Sequence, residues 1–259
     1  MRTTTLVAAA AALVTLLFAT TAGAQELRLA GGGHFQGSGA ALAEAFSQKT
    51  GIATLYTPGN TGNGGMARRM DGGEVMDVVV LNRDDMNEQT AAGLIKPDSV
   101  VSFGSDRMGL AVRKGAPKPD ISTPEKLRAT LVAARAVGMQ EPDPMGHSGA
   151  NILHILTTLG IFDEIKAKAV IIRNATDALV AGTVDISFWS YPELLEREQI
   201  DVAGPTPPEL GGFTEQAVGI PARNQNDAHA RAFIQFLTSA DGAAVYTQHG
   251  LDPLPAQGN

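Results

Sequence analysis

No cysteine occurs anywhere in the 259 residues. Its absence excludes disulfides, thiolate metal sites, a cysteine nucleophile and a lipid-bearing cysteine behind a leader. Positive charge is scarce as well: the formal net charge is −7, and no stretch interleaves basic with aromatic residues. Nucleic acid is therefore not an expected partner. Histidines number five and are scattered, and His147 with His154 lacks the i, i+4 spacing that puts two ligands on one helix face. Neither a metal nor a cofactor is expected. After the first two dozen residues no apolar run approaches the length of a membrane span.

What is present begins with an export signal. Arg2 supplies charge, Leu6 to Ala19 the apolar run, and Ala22-Gly23-Ala24 a small-residue cleavage site. Residues 1–24 are thus expected to be removed and the mature chain to be periplasmic, without membrane insertion. The rest alternates strand and helix patterns, which points to an α/β fold. Strands are expected at Leu27–Ala30, Ile52–Thr57, Asp77–Leu81, Met108–Arg113, Ala136–Met139, Val170–Arg173, Asp185–Phe188 and Val218–Ile220. Helices are expected at Ser38–Lys49, Gly65–Met70, from Pro124 behind the N-cap Thr123, at Ser148–Leu159 and at Ala228–Leu237. Gly204 to Gly212, rich in Pro and Gly, reads as a loop.

Four turns of small or hydrogen-bonding residues follow apolar stretches: Gly31-Gly32-Gly33-His34, Gly59 to Gly64, Met145-Gly146-His147-Ser148-Gly149, and Phe188-Trp189-Ser190-Tyr191. The first N–H groups of a helix lack internal partners and sit at the positive end of its dipole. Small residues there let an anion approach closely. Several such ends in one exported chain suggest capture of an anion. The candidate contacts are His34, Thr61, Asn63, His147, Ser148, Asn174 and Trp189.

The landmarks also fall in a known order. They are the glycine loop through His34, Met66 to Gly73 running into Asp77-Val78-Val79-Val80, the passage Phe103 to Val112, Glu141-Pro142-Asp143-Pro144 before a helix ending at Leu159-Gly160, and Ala178 to Ile186. This order resembles the type II periplasmic solute-binding proteins of ABC importers, molybdate-binding branch. The resemblance implies two lobes, each a mixed or parallel sheet flanked by helices, with ligand in the cleft between them. Lobe one would be residues 25–104 plus 215–259, and lobe two residues 105–214. It implies a monomer, not an enzyme, that delivers a small anion to a membrane permease. His34 stands where molybdate binders carry Ser, and Trp189 where they carry a pocket Tyr. Both side chains are larger and more directional, which suits a flatter ligand; an oxyanion and a small carboxylate remain open.

Other classes compete. Gly146-His147-Ser148-Gly149-Ala150 resembles the elbow of a secreted serine hydrolase with Ser148 as nucleophile, yet two prolines precede it where a strand is required. Gly62 to Ala67 fits a dinucleotide fingerprint literally, in an exported setting that argues against it. A loaded protein that docks on a membrane sensor would use the same pocket as a transport component.

Overall fold

A computed structural model describes residues 26–59, 65–144 and 147–254. The proposed leader, Thr61, Asn63, Met145 and Gly146 lie outside the described residues.

The amino-terminal lobe is built on β1 (Leu27–Gly31), β2 (Thr54–Pro58) and β3 (Val78–Asn82), with β1 parallel to both neighbours. Val78 to Leu81 is buried at every position, because helices cover both faces of the sheet. On one face lie α1 (Gln36–Thr50), α9 (Asp227–Leu237) and α10 (Ala240–Gln248), over a core that includes Phe35, Leu42, Phe46 and Phe233. On the other lie α2 (Gly65–Asp71) and α3 (Arg83–Ala91), over Met66, Val79, Leu81 and Met86. Gly51 ends α1 at φ 75°, the left-handed cap that glycine adopts at no steric cost.

The second lobe repeats the plan. Here β5 (Val137–Met139) is parallel to β6 (Ala169–Ile171) and β7 (Ile186–Ser190). The helices are α4 (Pro124–Ala133), α5 (His147–Thr158) and α6 (Phe162–Lys166) on one face, α7 (Ala175–Val180) and α8 (Tyr191–Leu195) on the other. Thr123 caps α4 as its sequence predicts, its hydroxyl accepting from the Lys126 N–H at 3.3 Å.

Two long strands cross between the lobes. β4 (Val101–Arg113) pairs antiparallel with β9 (Phe213–Gly219) over its first half and with β7 over its second. The strand order β2-β1-β3-β9-β4-β7-β5-β6 is therefore one curled mixed sheet. Each lobe contributes three parallel strands closed by one antiparallel crossing strand, so the halves are related by an approximate two-fold axis between β4 and β9.

Three expectations change. The crossing strand starts at Val101, not Met108, and β9 starts at Phe213, not Val218. The stretch Gly204–Gly212 is not all loop. Its first residues end β8 (Ile200–Pro205), which pairs with β4 across a bulge where Gly204 takes φ 149°. β10 (Leu251–Pro253) joins the opposite end of β4.

Candidate functional site

Parallel strands point their carboxyl ends, and hence the starts of the helices that follow, toward the crevice. In this chain the ends of β1 and β3 face those of β5 and β7 across the crossing strands. The approximate two-fold then sets two matching clusters of side chains between the lobes.

The first cluster centres on His34, in the short 3-10 turn Gly33–Phe35 that leads into α1. Its Nδ1 lies 2.6 Å from Asp106 Oδ2 on β4, and Asp106 Oδ1 accepts from Gln216 Nε2 on β9 at 2.9 Å. Its Nε2 lies 3.6 Å from Glu193 Oε1, on α8 of the opposite lobe. The other oxygen of Glu193 accepts the indole N–H of Trp189 at 2.6 Å. Asp106 is only 1% exposed. Burial alone would lower the His34 pKa, but the charge and hydrogen bond of Asp106, joined by the charge of Glu193, outweigh it and raise it to about 9. His34 is thus an imidazolium at neutral pH, sandwiched between a buried carboxylate of the hinge and a carboxylate of the second lobe.

The second cluster repeats the pattern. His147 opens α5, and its Nε2 lies 3.5 Å from Asp85 Oδ1, on α3 of the opposite lobe. Asp85 Oδ2 accepts from Asn82 Nδ2 at 2.7 Å, as Glu193 accepts from Trp189. In both lobes the acid is the third residue of the helix after the third strand. One of its oxygens is held at home and the other is presented across the cleft. On the crossing strands Asp106 is paired in register with Thr214, and Thr214 Oγ1 accepts from Asn151 Nδ2 of α5 at 2.9 Å. A cavity of about 510 Å³ opens on this flank, lined by Asp84, Asp85, Glu88 and Glu215 against Arg83 and His147. Its carboxylates outnumber its cations and make it a poor seat for an anion; on the other flank a fixed imidazolium, His34, faces the cleft.

The remaining expected contacts are dispersed. Ser148 is the second residue of α5 and 6% exposed. Trp189 is 6% exposed and packs among Leu179, Val184 and Leu194, so it reaches the cleft only through Glu193. Asn174 caps α7, its Oδ1 accepting from the Thr176 N–H at 2.9 Å, beside a surface hollow shared with Arg197. The hydrolase alternative loses its geometry. β5 stops at Met139, and residues 140–144 form no strand that could feed Ser148. Of the histidines that follow Ser148 in the order a triad needs, His249 faces Glu196 and His229 lies in α9 of the first lobe. Among the described residues no group of three or more His, Asp or Glu could hold a metal. No helix among them is long and apolar enough to cross a membrane.

Sequence reasoning did not find Asp106, Glu193, Asp85 or Gln216. Asp106 did leave a signal, since a carboxylate in the largely apolar passage Phe103 to Val112, where only Ser105 and Arg107 are also polar, has to be paired when buried. Two buried hydroxyls near this cluster, Ser38 in the first turn of α1 and Ser190 at the end of β7, have no hydrogen-bond partner.

Residues 27–252 match the family described as bacterial extracellular solute-binding proteins. A protein of a Pseudomonas species named aconitate isomerase is 31% identical over 223 residues, covering 83% of each chain. The periplasmic molybdate-binding protein of Azotobacter vinelandii superposes with a TM-score of 0.69 at 18% identity, over 88% of this chain and 99% of that one. The sulfate-binding protein of Mycobacterium tuberculosis gives 0.64 at 20% identity, over 89% and 88%. At these identities the two structures speak for the fold alone. The two lobes and the cleft between them are as the resemblance implied.

Proposed function

We propose, from the premise that the chain belongs to this family of bacterial extracellular solute-binding proteins, that it captures a small organic anion carrying several carboxylates between its lobes and delivers it to an ABC permease. The observation that carries this reading is the His34 imidazolium held at the cleft by the buried Asp106. A cation fixed in orientation favours a planar carboxylate, which accepts from it and from helix N–H groups in one plane. The unpartnered hydroxyls of Ser38 and Ser190 add neutral donors. Support for a carboxylate over molybdate or sulfate also comes from the relative named for aconitate, a tricarboxylate, being more similar in sequence than the oxyanion binders. Four charge-assisted bonds at about 1.5–3 kcal/mol each, reduced by ordering and closure, correspond to roughly micromolar affinity.

Calorimetric titration of residues 25–259, unfolded and refolded to strip any carried ligand, tests this. The panel is citrate, tricarballylate and both aconitate isomers against molybdate, tungstate, sulfate and phosphate. A polycarboxylate should bind, and His34→Ala should weaken it at least tenfold. Binding of an oxyanion alone would replace the carboxylate reading.

The same relative favours one second reading, catalysis. Isomerisation of a propene tricarboxylate needs a proton removed from the methylene beside the double bond and one returned at the far carbon as the double bond shifts. Glu193 and His34, facing each other across the cleft, are a base and an acid for such a transfer. Protein incubated with cis-aconitate in D2O and followed by proton NMR decides it: appearance of the trans isomer with solvent deuterium means an isomerase, and an unchanged spectrum means a binder.

A further inference from the structure

The glycines around His34 look like a notch for a ligand, yet part of that notch is already filled from within the chain. A Cβ on Gly33 would stand 3.0 Å from Glu193 Oε1, and one on Gly37 would overlap the carboxylate of Glu196. Both acids lie at the carboxyl-terminal end of the second-lobe sheet, Glu193 in α8 and Glu196 directly after it. The missing side chains at the entrance of α1 therefore admit two carboxylates of the opposite lobe. They come to rest at the positive end of a fifteen-residue helix.

Three features mark the seat of Glu193 as one an outside anion would also choose. His34 presents Nε2 to it. The helix behind it carries Ser38, 1% exposed, whose hydroxyl has no partner. The contact with His34 is 3.6 Å, too long for a hydrogen bond, so the imidazolium gives up no strong bond when Glu193 leaves. Trp189 holds the far oxygen of Glu193, which keeps the carboxylate tethered nearby after displacement.

We propose that Glu193 is an internal occupant of the anion site: in the empty protein its carboxylate stands where a carboxylate of the ligand stands in the loaded one. This rests on the anion-binding reading above and deepens it. A tethered group competes at an effective concentration of about millimolar or higher. A monocarboxylate offers nothing beyond what Glu193 already supplies and fails to dislodge it. A ligand with two or three carboxylates gains contacts in both lobes and succeeds. Glu193 thus sets the minimum charge of the ligand.

The test is Glu193→Gln, which keeps an acceptor for the Trp189 N–H and removes the charge. Tricarballylate and propionate are titrated calorimetrically into both proteins, and the imidazole resonances of ligand-free protein are followed against pH by NMR. In the variant tricarballylate should bind about tenfold more tightly. Propionate should become measurable, and the His34 titration should move to lower pH in the absence of any ligand. Binding to the variant where the wild type is silent supports the proposal equally. If wild type binds tricarballylate and the variant binds it no better, the internal-occupant proposal falls while the anion reading stands. If neither binds any anion, both fall. An unmoved His34 titration also overturns the proposal, since the two groups then do not meet. Should the variant fail to fold, Glu193→Asp, which withdraws the charge by one methylene, is expected to give the same changes at smaller size.

Discussion

His34 is charged because of residues far away in the chain: Asp106 lies 72 positions on, and Glu193 comes from the other lobe. Its folded pKa of about 9 lies above the 6.5 of an unfolded histidine, so the folded protein holds the proton more tightly. The stabilisation is fully present below about pH 6.5 and is lost as pH rises toward 9. Its size is about 3 kcal/mol across that window. Urea unfolding at pH 6, 7.5 and 9 should show the decline, and Asp106→Asn should flatten most of it while lowering stability at pH 6. A wild-type profile flat from pH 6 to 9 would mean that the imidazole gains no proton affinity on folding. In the sequence, His34 was legible because glycines surround it. Its partners were not, because an acid on a strand or in a short helix has the same local pattern whether it meets solvent or a histidine.

At the level of elements the glycine turns gave the right places for a partly different reason. Gly149, which the hydrolase alternative reads as part of an elbow, lets α5 lie directly on backbone. A Cβ there would overlap the Glu141 carbonyl and crowd the Asp143 backbone. Backbone cannot swing aside as a side-chain tip can, so Gly149→Ala should destabilise by about 1–3 kcal/mol in thermal unfolding. Wild-type stability in that variant would show that the segment 141–143 is not seated on the helix. The parallel strands and the amphipathic helices were readable because one environment persists along each of them. The crossing strands were only half readable for the opposite reason. The first half of β4 serves the first lobe and its second half the other, with the change of partner between Arg107 and Met108, so no single alternation runs through it. Strand β8 was hidden in the same way, by a bulge that places Gly and Pro inside a ladder.

Across the whole molecule the two lobes share a plan but not a chain path. The second lobe is continuous in sequence, from the latter half of β4 to β8, whereas the first is assembled from both ends of the chain. β9 sits between β3 and β4 in the sheet, and α9, α10 and β10 complete the same core as Leu27, Leu42 and Phe103. Strand β3 therefore has an open edge until residues 213–219 arrive, and the contacts that close the lobe span most of the chain. High contact order of this kind slows folding. A chain ended at Gly212 should accordingly retain a foldable second lobe with a collapsed, loosely packed first one. Hydrogen exchange read by mass spectrometry would find amides of β5 and β7 protected and those of β1 and β3 not; equal protection of both would refute it. In the intact chain the same order holds in time, so the lobe whose first strand is made earliest is the last to become native.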